Sequence, residues 1–132
     1  YECLVKNCPE DVETHQLAIG NEEKMISLSE DNFTQAKRVV GDGTIPMVTI
    51  DSLNLDDVDL IKIDVEGFEM EVLKGAENTL KNVDYLMIEL NNNSKKYGSS
   101  NLEIEKYLGE MGFESMIKIW PDIVWRKKGE RK

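Results

Sequence analysis

The sequence predicts one α/β domain, and three observations carry that expectation. The first is Asp59-Leu60-Ile61-Lys62-Ile63-Asp64-Val65-Glu66-Gly67, an apolar, largely β-branched strand over 60–66 that stops at a glycine, where the apolar spacing turns helical. The second is Tyr85-Leu86-Met87-Ile88-Glu89-Leu90, a further strand pattern beyond that helix, which implies a parallel pair. The third is the closing order, a capped amphipathic helix and then an antiparallel hairpin.

Composition bounds the rest. At 132 residues the chain holds one core and is too short for two, so residues 1–132 are expected to form a single domain. No run approaches the roughly 18 to 20 apolar residues of a membrane span, so no membrane partner is expected. A formal net charge of -10 argues against a nucleic-acid partner, because neutralising phosphates takes clustered Lys and Arg. Cys3 and Cys8, with no second pair to complete a metal site, read as reduced thiols of a cytoplasmic protein. The chain opens on Tyr1-Glu2-Cys3-Leu4-Val5-Lys6-Asn7 without an initiator Met, and the expectation is a domain truncated at its N-terminus.

Residues 1–7 read as a helix with Leu4 and Val5 inward, stopped at Cys8-Pro9. Thr14 to Ile19 reads as a strand ending at Gly20-Asn21, and Lys24 to Ser29 as a half-buried hairpin arm with Met25, Ser27 and Ser29 set against Ile26 and Leu28. Glu30 to Thr44, with Gly41-Asp42-Gly43, reads as a surface loop and a candidate lid. Thr44 to Ile50 resumes strand character, and Asp51-Ser52-Leu53 makes a short helical link. After Gly67, the residues Phe68, Val72, Leu73, Ala76 and Leu80 share one helical arc and leave Glu69, Lys74 and Glu77 outside it. Gly75 within that helix points to close backbone approach. Ser100-Asn101-Leu102-Glu103 is a capping-box pattern, with Ile104, Tyr107, Leu108 and Met111 behind it. Ser115 to Trp120 and Ile123 to Arg126 form the hairpin around Pro121-Asp122.

Lys62, Asp64 and Glu66 alternate along a strand that would otherwise be apolar, so they project to one side. Glu89 and Asn91 end the next strand at the same sheet edge. Open α/β sheets bind ligands at the carboxyl ends of their strands, which marks this edge for function. The plainer alternative is that Lys62 neutralises Asp64 and the strand simply ends wet at Glu66.

Ile61-Lys62-Ile63-Asp64-Val65-Glu66-Gly67-Phe68-Glu69, followed by Glu71-Val72-Leu73-Lys74-Gly75-Ala76, resembles the signature of the FkbM family of methyltransferases. Leu4 and Asn7, Ala18-Ile19-Gly20-Asn21, Thr49-Ile50-Asp51-Ser52-Leu53 and Ile88-Glu89 extend the resemblance along most of the chain. It implies a partial class I methyltransferase sheet, Rossmann-like, in the strand order 3-2-1-4-5-7-6 and with a C-terminal antiparallel hairpin. It further implies S-adenosylmethionine as cofactor and a small-molecule or glycan hydroxyl as acceptor, with a divalent cation left open. Asp64, Glu66 and Lys62 are then the catalytic candidates, Ala18, Ile19 and Asp64 the cofactor-binding ones, and Glu66, Glu89 and Asn91 those facing the acceptor. The family's Gly-rich turn and ribose-holding acid, which belong with strands 1 and 2, have no replacement here. Two alternatives follow: an inactive remnant or binding module, and, more remotely, a metal-dependent DEDD-type nuclease. The loss of a neighbour beside strand 60–66 leads to an expectation of homo-oligomers through an exposed strand edge.

Overall fold

Helices and strands are both present in the computed structural model, which describes residues 1–29, 39–91 and 93–129. In chain order the elements are α1 (Glu2–Asn7), β1 (Ala18–Ile19), β2 (Lys24–Leu28), β3 (Val39–Val48), β4 (Leu60–Ile63), α2 (Glu69–Lys74), β5 (Tyr85–Glu89), α3 (Asn101–Glu110), β6 (Phe113–Ile119) and β7 (Asp122–Lys127). Short 3-10 turns occupy Asp51–Leu53, Thr79–Lys81 and Asn93–Tyr97.

The strands sort into two mixed sheets. One runs β4-β5-β7-β6, with β4 parallel to β5 and the β6–β7 hairpin folded back antiparallel so that β7 lies against β5. The other runs β1-β3-β2, with β1 parallel and β2 antiparallel to β3. The main core gathers Ile63, Leu73, Leu86, Ile88, Ile104 and Leu108, so α2 and α3 both pack on the larger sheet. The capping box is formed as expected: Ser100 Oγ accepts from the Glu103 N–H at 3.3 Å, and the Ser100 N–H donates to Glu103 Oε2 at 2.8 Å. Lys127 fastens the end of β7 by donating to the carbonyls of Leu80 (2.8 Å) and Met111 (2.7 Å).

The smaller sheet meets the α2 segment at two glycines. A side chain on Gly75 would overlap the carbonyl oxygen of Gly20, and one on Gly20 would meet Met47 Sδ at 2.6 Å and the Phe68 ring at 3.1 Å. The close approach expected at Gly75 is therefore real. The Asp51 N–H donates to the Gly75 carbonyl at 2.9 Å and extends the joint.

Several expectations need correction. Strand 60–66 stops at Ile63, and it is not buried throughout: it lies at the sheet edge and leaves Leu60 55% exposed. The helix over Phe68 to Leu80 is broken after Lys74, where Gly75 closes on Gly20, and a 3-10 turn replaces its second half. Glu69, assigned to the outer face, is only 2% exposed. The N-terminal helix forms, yet Leu4 and Val5 are about half exposed, since nothing in the main core reaches it. The strand over Thr14 to Ile19 shrinks to Ala18–Ile19, and of the apolar pair in β2 only Ile26 is buried. Residues 30–38 of the expected loop and lid lie outside the described residues. Its remainder, 39–44, belongs to β3, where a register shift opposite Ile26 and Ser27 and the positive φ of 44° at Gly41 accommodate the glycines within the ladder. The early strands pair with one another, and none of them lies beside β4.

Candidate functional site

The carboxyl ends of the parallel strands β4 and β5 collect five of the residues singled out from the sequence. Lys62 and Asp64 form an ion pair at 2.8 Å, the plainer outcome for those two residues. Both side chains are substantially exposed, at 49% and 39%, so the pair is worth at most about 1 kcal/mol. The hydrogen bond to Asp64 holds the Lys62 ammonium above its ordinary value, against a smaller opposing effect of burial, and the charges of Asp122 and Glu89 add to it.

Glu66 leaves the expected alternation. Its φ of 55° and that of 113° at Gly67 place both residues in left-handed space, and the chain turns sharply from strand to helix. Glu69 holds this turn from beneath, its Oε1 accepting the Gly67 N–H at 2.8 Å. Burial pushes the Glu69 carboxyl above its ordinary value, and the nearby Glu66 charge pushes it further, against hydrogen bonds from the backbone of Gly67, Glu69 and Val65. Above the turn, Glu66 Oε2 accepts from the side-chain amides of Asn91 at 3.2 Å and Asn93 at 2.9 Å. The Asn91 amide also donates to Glu89 Oε1 at 3.1 Å, so it bridges the two carboxylates. Asp122 pairs in register with Glu89 and keeps a buried oxygen, Oδ1, without a hydrogen-bond partner among the described residues.

Sequence reasoning missed Glu69, Asn93 and Asp122. An acid in the first turn after a strand–glycine break, and a second Asn two residues beyond Asn91, were the available signals. Ala18 and Ile19 stand in the smaller sheet, paired with Met47 and Val48. They join the site's neighbourhood through Gly20, which packs against Phe68 at the start of α2. The Gly20 N–H is committed to the Val48 carbonyl at 2.9 Å, as that of Gly67 is to Glu69.

A cleft of about 770 Å³ opens at the other end of the same strands, lined by Asp59, Tyr85, Lys81, Arg126 and Lys127 among others. It is an unconvincing ligand site: Lys81 is engaged by Asn78, Arg126 by Glu114 and Lys127 by backbone carbonyls, and the strands' carboxyl ends point away from it. Among the described residues no three or more His, Cys, Asp or Glu side chains are grouped to hold a metal ion, and no helix is long and apolar enough to cross a membrane.

Parallel strands ending in carboxylates and amides, with a helix leaving a glycine turn, define an α/β domain with a polar edge at its strand ends. The class becomes particular through sequence: the family model described as the methyltransferase FkbM domain matches residues 2–115, and the chain belongs to that family. It is also similar to the hexuronic acid methyltransferase AglP of Haloferax volcanii, with 35% identity over 63 residues, 45% of this chain and 26% of that protein. The match thus spans about a quarter of the length of this curated relative. No solved structure matches the chain significantly.

Proposed function

We propose that this domain transfers the methyl group of S-adenosylmethionine to a hydroxyl of a sugar or secondary metabolite. The observation that carries the reading is the convergence of Asp64, Glu66, Glu89 and Asn91 at the carboxyl ends of β4 and β5 in an FkbM-family chain. When bound, the cofactor supplies an electrophilic methyl on sulfur. An alcohol is a weak nucleophile at neutral pH, so a positioned carboxylate must take its proton as the oxygen–carbon bond forms and the sulfur–carbon bond breaks. In this reading Glu66 faces the acceptor, Asp64 stands at the junction of cofactor and acceptor with Lys62 as its partner, and Glu89 and Asn91 orient the acceptor's hydroxyls. Ala18 and Ile19 would line the adenine through their backbone.

The charge at this edge narrows the acceptor. The similar protein's name specifies a hexuronic acid, but a uronate's carboxylate would meet Asp64, Glu66, Glu89 and Asp122 here, with Lys62 already paired to Asp64. A neutral sugar or polyol hydroxyl suits the site better.

The order β4-β5-β7-β6 supports a partial class I sheet, since it corresponds to 4-5-7-6 in the order 3-2-1-4-5-7-6. Strand 1 would then pair with the outer edge of β4, which no strand among the described residues occupies. A second reading, a remnant that binds cofactor poorly, is favoured by the committed amides of Gly20 and Gly67. Transfer from tritiated S-adenosylmethionine at millimolar concentration to D-glucose and D-glucuronic acid tests the proposal. Transfer should fall in Asp64→Asn and Glu66→Gln with folding retained, because groups at a wet strand end contribute little to the core. Full activity in both variants would overturn the assignment.

A further inference from the structure

We propose that Asn93 is the positioning residue for Glu66, an inference that rests on the catalytic reading of Glu66 given above. Asn93 acts through three contacts, each made by a different part of the residue.

Its side-chain amide donates to Glu66 Oε2 at 2.9 Å, the shorter of the two amide contacts on that oxygen. Its backbone N–H donates to Asn91 Oδ1 at 3.1 Å, and this decides which way round the Asn91 amide sits. A backbone donor needs an acceptor, so the Asn91 oxygen must face Asn93 and the nitrogen must face the carboxylates. Asn91 Nδ2 can then donate to both Glu66 and Glu89, placing N–H groups between two like charges that would otherwise repel. Finally, the Asn93 backbone is seated on the turn that carries Glu66. A Cβ on Gly67 would lie 2.6 Å from both the carbonyl carbon and the oxygen of Asn93, so only glycine allows the two segments to approach. Just beyond, Phe68 and Tyr97 meet edge to face, ring centroids 5.0 Å apart, which fixes the 3-10 turn against the start of α2.

The consequence is directional. Both amides converge on Oε2, and the same residue that delivers one of them dictates the orientation of the other. Glu66 is therefore presented with Oε2 held by the protein, while Oε1, which no hydrogen bond among the described residues engages, is left for the acceptor hydroxyl. Displacing a base by about 1 Å costs on the order of 100-fold in rate, so loss of the amide should appear in kcat rather than KM.

The test pairs a structural readout with a kinetic one. In 1H–15N spectra of the intact chain, Glu66→Gln should shift the side-chain amide signals of Asn91 and Asn93 and leave in place that of Asn54, whose amide donates to the Ser52 carbonyl. This arm needs no turnover, and unmoved Asn93 signals would refute the proposal by themselves. In the tritium assay described above, Asn93→Ala and the near-isosteric Asn93→Leu, which lacks the donor and adds no charge, should lower kcat about 10- to 100-fold with KM changed less than about threefold. Their melting temperatures should stay close to wild type, which separates positioning from a structural role. Loss of transfer in Glu66→Gln with unchanged kcat in Asn93→Ala would refute positioning alone. Retained transfer in Glu66→Gln would refute the catalytic reading of Glu66, and positioning with it.

Discussion

Removing the Asp51 carboxylate should loosen the joint between the end of the smaller sheet and the segment that follows α2. Asp51 follows β3, and its Oδ2 accepts the Asn78 N–H at 2.9 Å while its Oδ1 accepts both the N–H and the hydroxyl of Thr79 at 2.8 Å. It thus caps the 3-10 turn Thr79–Lys81 from a distant part of the chain. Hydrogen bonds to a charged group are worth roughly 1.5 to 3 kcal/mol when buried, and loss of a capping side chain costs about 1 kcal/mol. Asn78 is exposed and its N–H can turn to water, whereas half-buried Thr79 cannot be fully rehydrated. Asp51→Ala should therefore cost about 2 kcal/mol, and Asp51→Asn, which keeps one acceptor, about 1 kcal/mol. Burial alone would raise the Asp51 pKa, but the Asn78 and Thr79 hydrogen bonds outweigh it and hold the carboxyl below its ordinary value of 3.8. The folded state thus binds this proton less readily than the unfolded chain. The stabilisation is fully present above pH 3.8 and is lost as pH falls through the depressed value. Urea unfolding of wild type and Asp51→Asn at pH 7 and pH 3 should show the gap closing at the lower pH. An equal gap at both would refute the reasoning.

Other expectations follow from the same geometry. Gly75→Ala gains helix propensity but drives a methyl into the Gly20 carbonyl, a rigid backbone neighbour, and should lower stability by about 1 to 3 kcal/mol in urea titrations. Glu69→Gln keeps an acceptor for the Gly67 N–H and removes a buried charge. Because the folded pKa of Glu69 is raised above 4.5, wild type should lose stability relative to this variant as pH climbs from 4.5 through the raised value; a pH-independent difference would contradict that. Calorimetry of this chain with S-adenosylmethionine should give a dissociation constant weaker than about 1 mM, since the amides of Gly20 and Gly67 are committed; a micromolar constant would count against it. We also expect two copies to pair through the outer edge of β4 at high micromolar concentration, and light scattering that shows only a 15.1 kDa monomer would rule this out.

Much of this was legible in the residues because it depends on local chemistry. The Ser100–Glu103 box, the helix behind it, the hairpin around Pro121 and the parallel pairing of β4 with β5 all follow from spacing. Gly75 announced its close contact because an interior glycine is costly without one. What escaped was set by long-range packing. Glu69 is inward because it turns back to bind the Gly67 N–H, a choice that no helical wheel displays. Glu66 leaves the strand's alternation because the chain enters left-handed space one residue before the glycine. Asn93 is functional in this account only through residues folded beside it, and its neighbourhood in sequence reads as an ordinary polar loop.

The most direct test of the central claim is to map S-adenosylhomocysteine onto the chain by amide chemical-shift perturbation at millimolar concentrations, where weak binding still reports. The account predicts shifts concentrated at residues 18–20, at the end of β1, and at residues 64–67 and 88–91 and Asn93, the carboxyl ends of β4 and β5. Shifts confined to Asp57, Asp84, Tyr85 and Lys127, around the cleft at the opposite end, would contradict it.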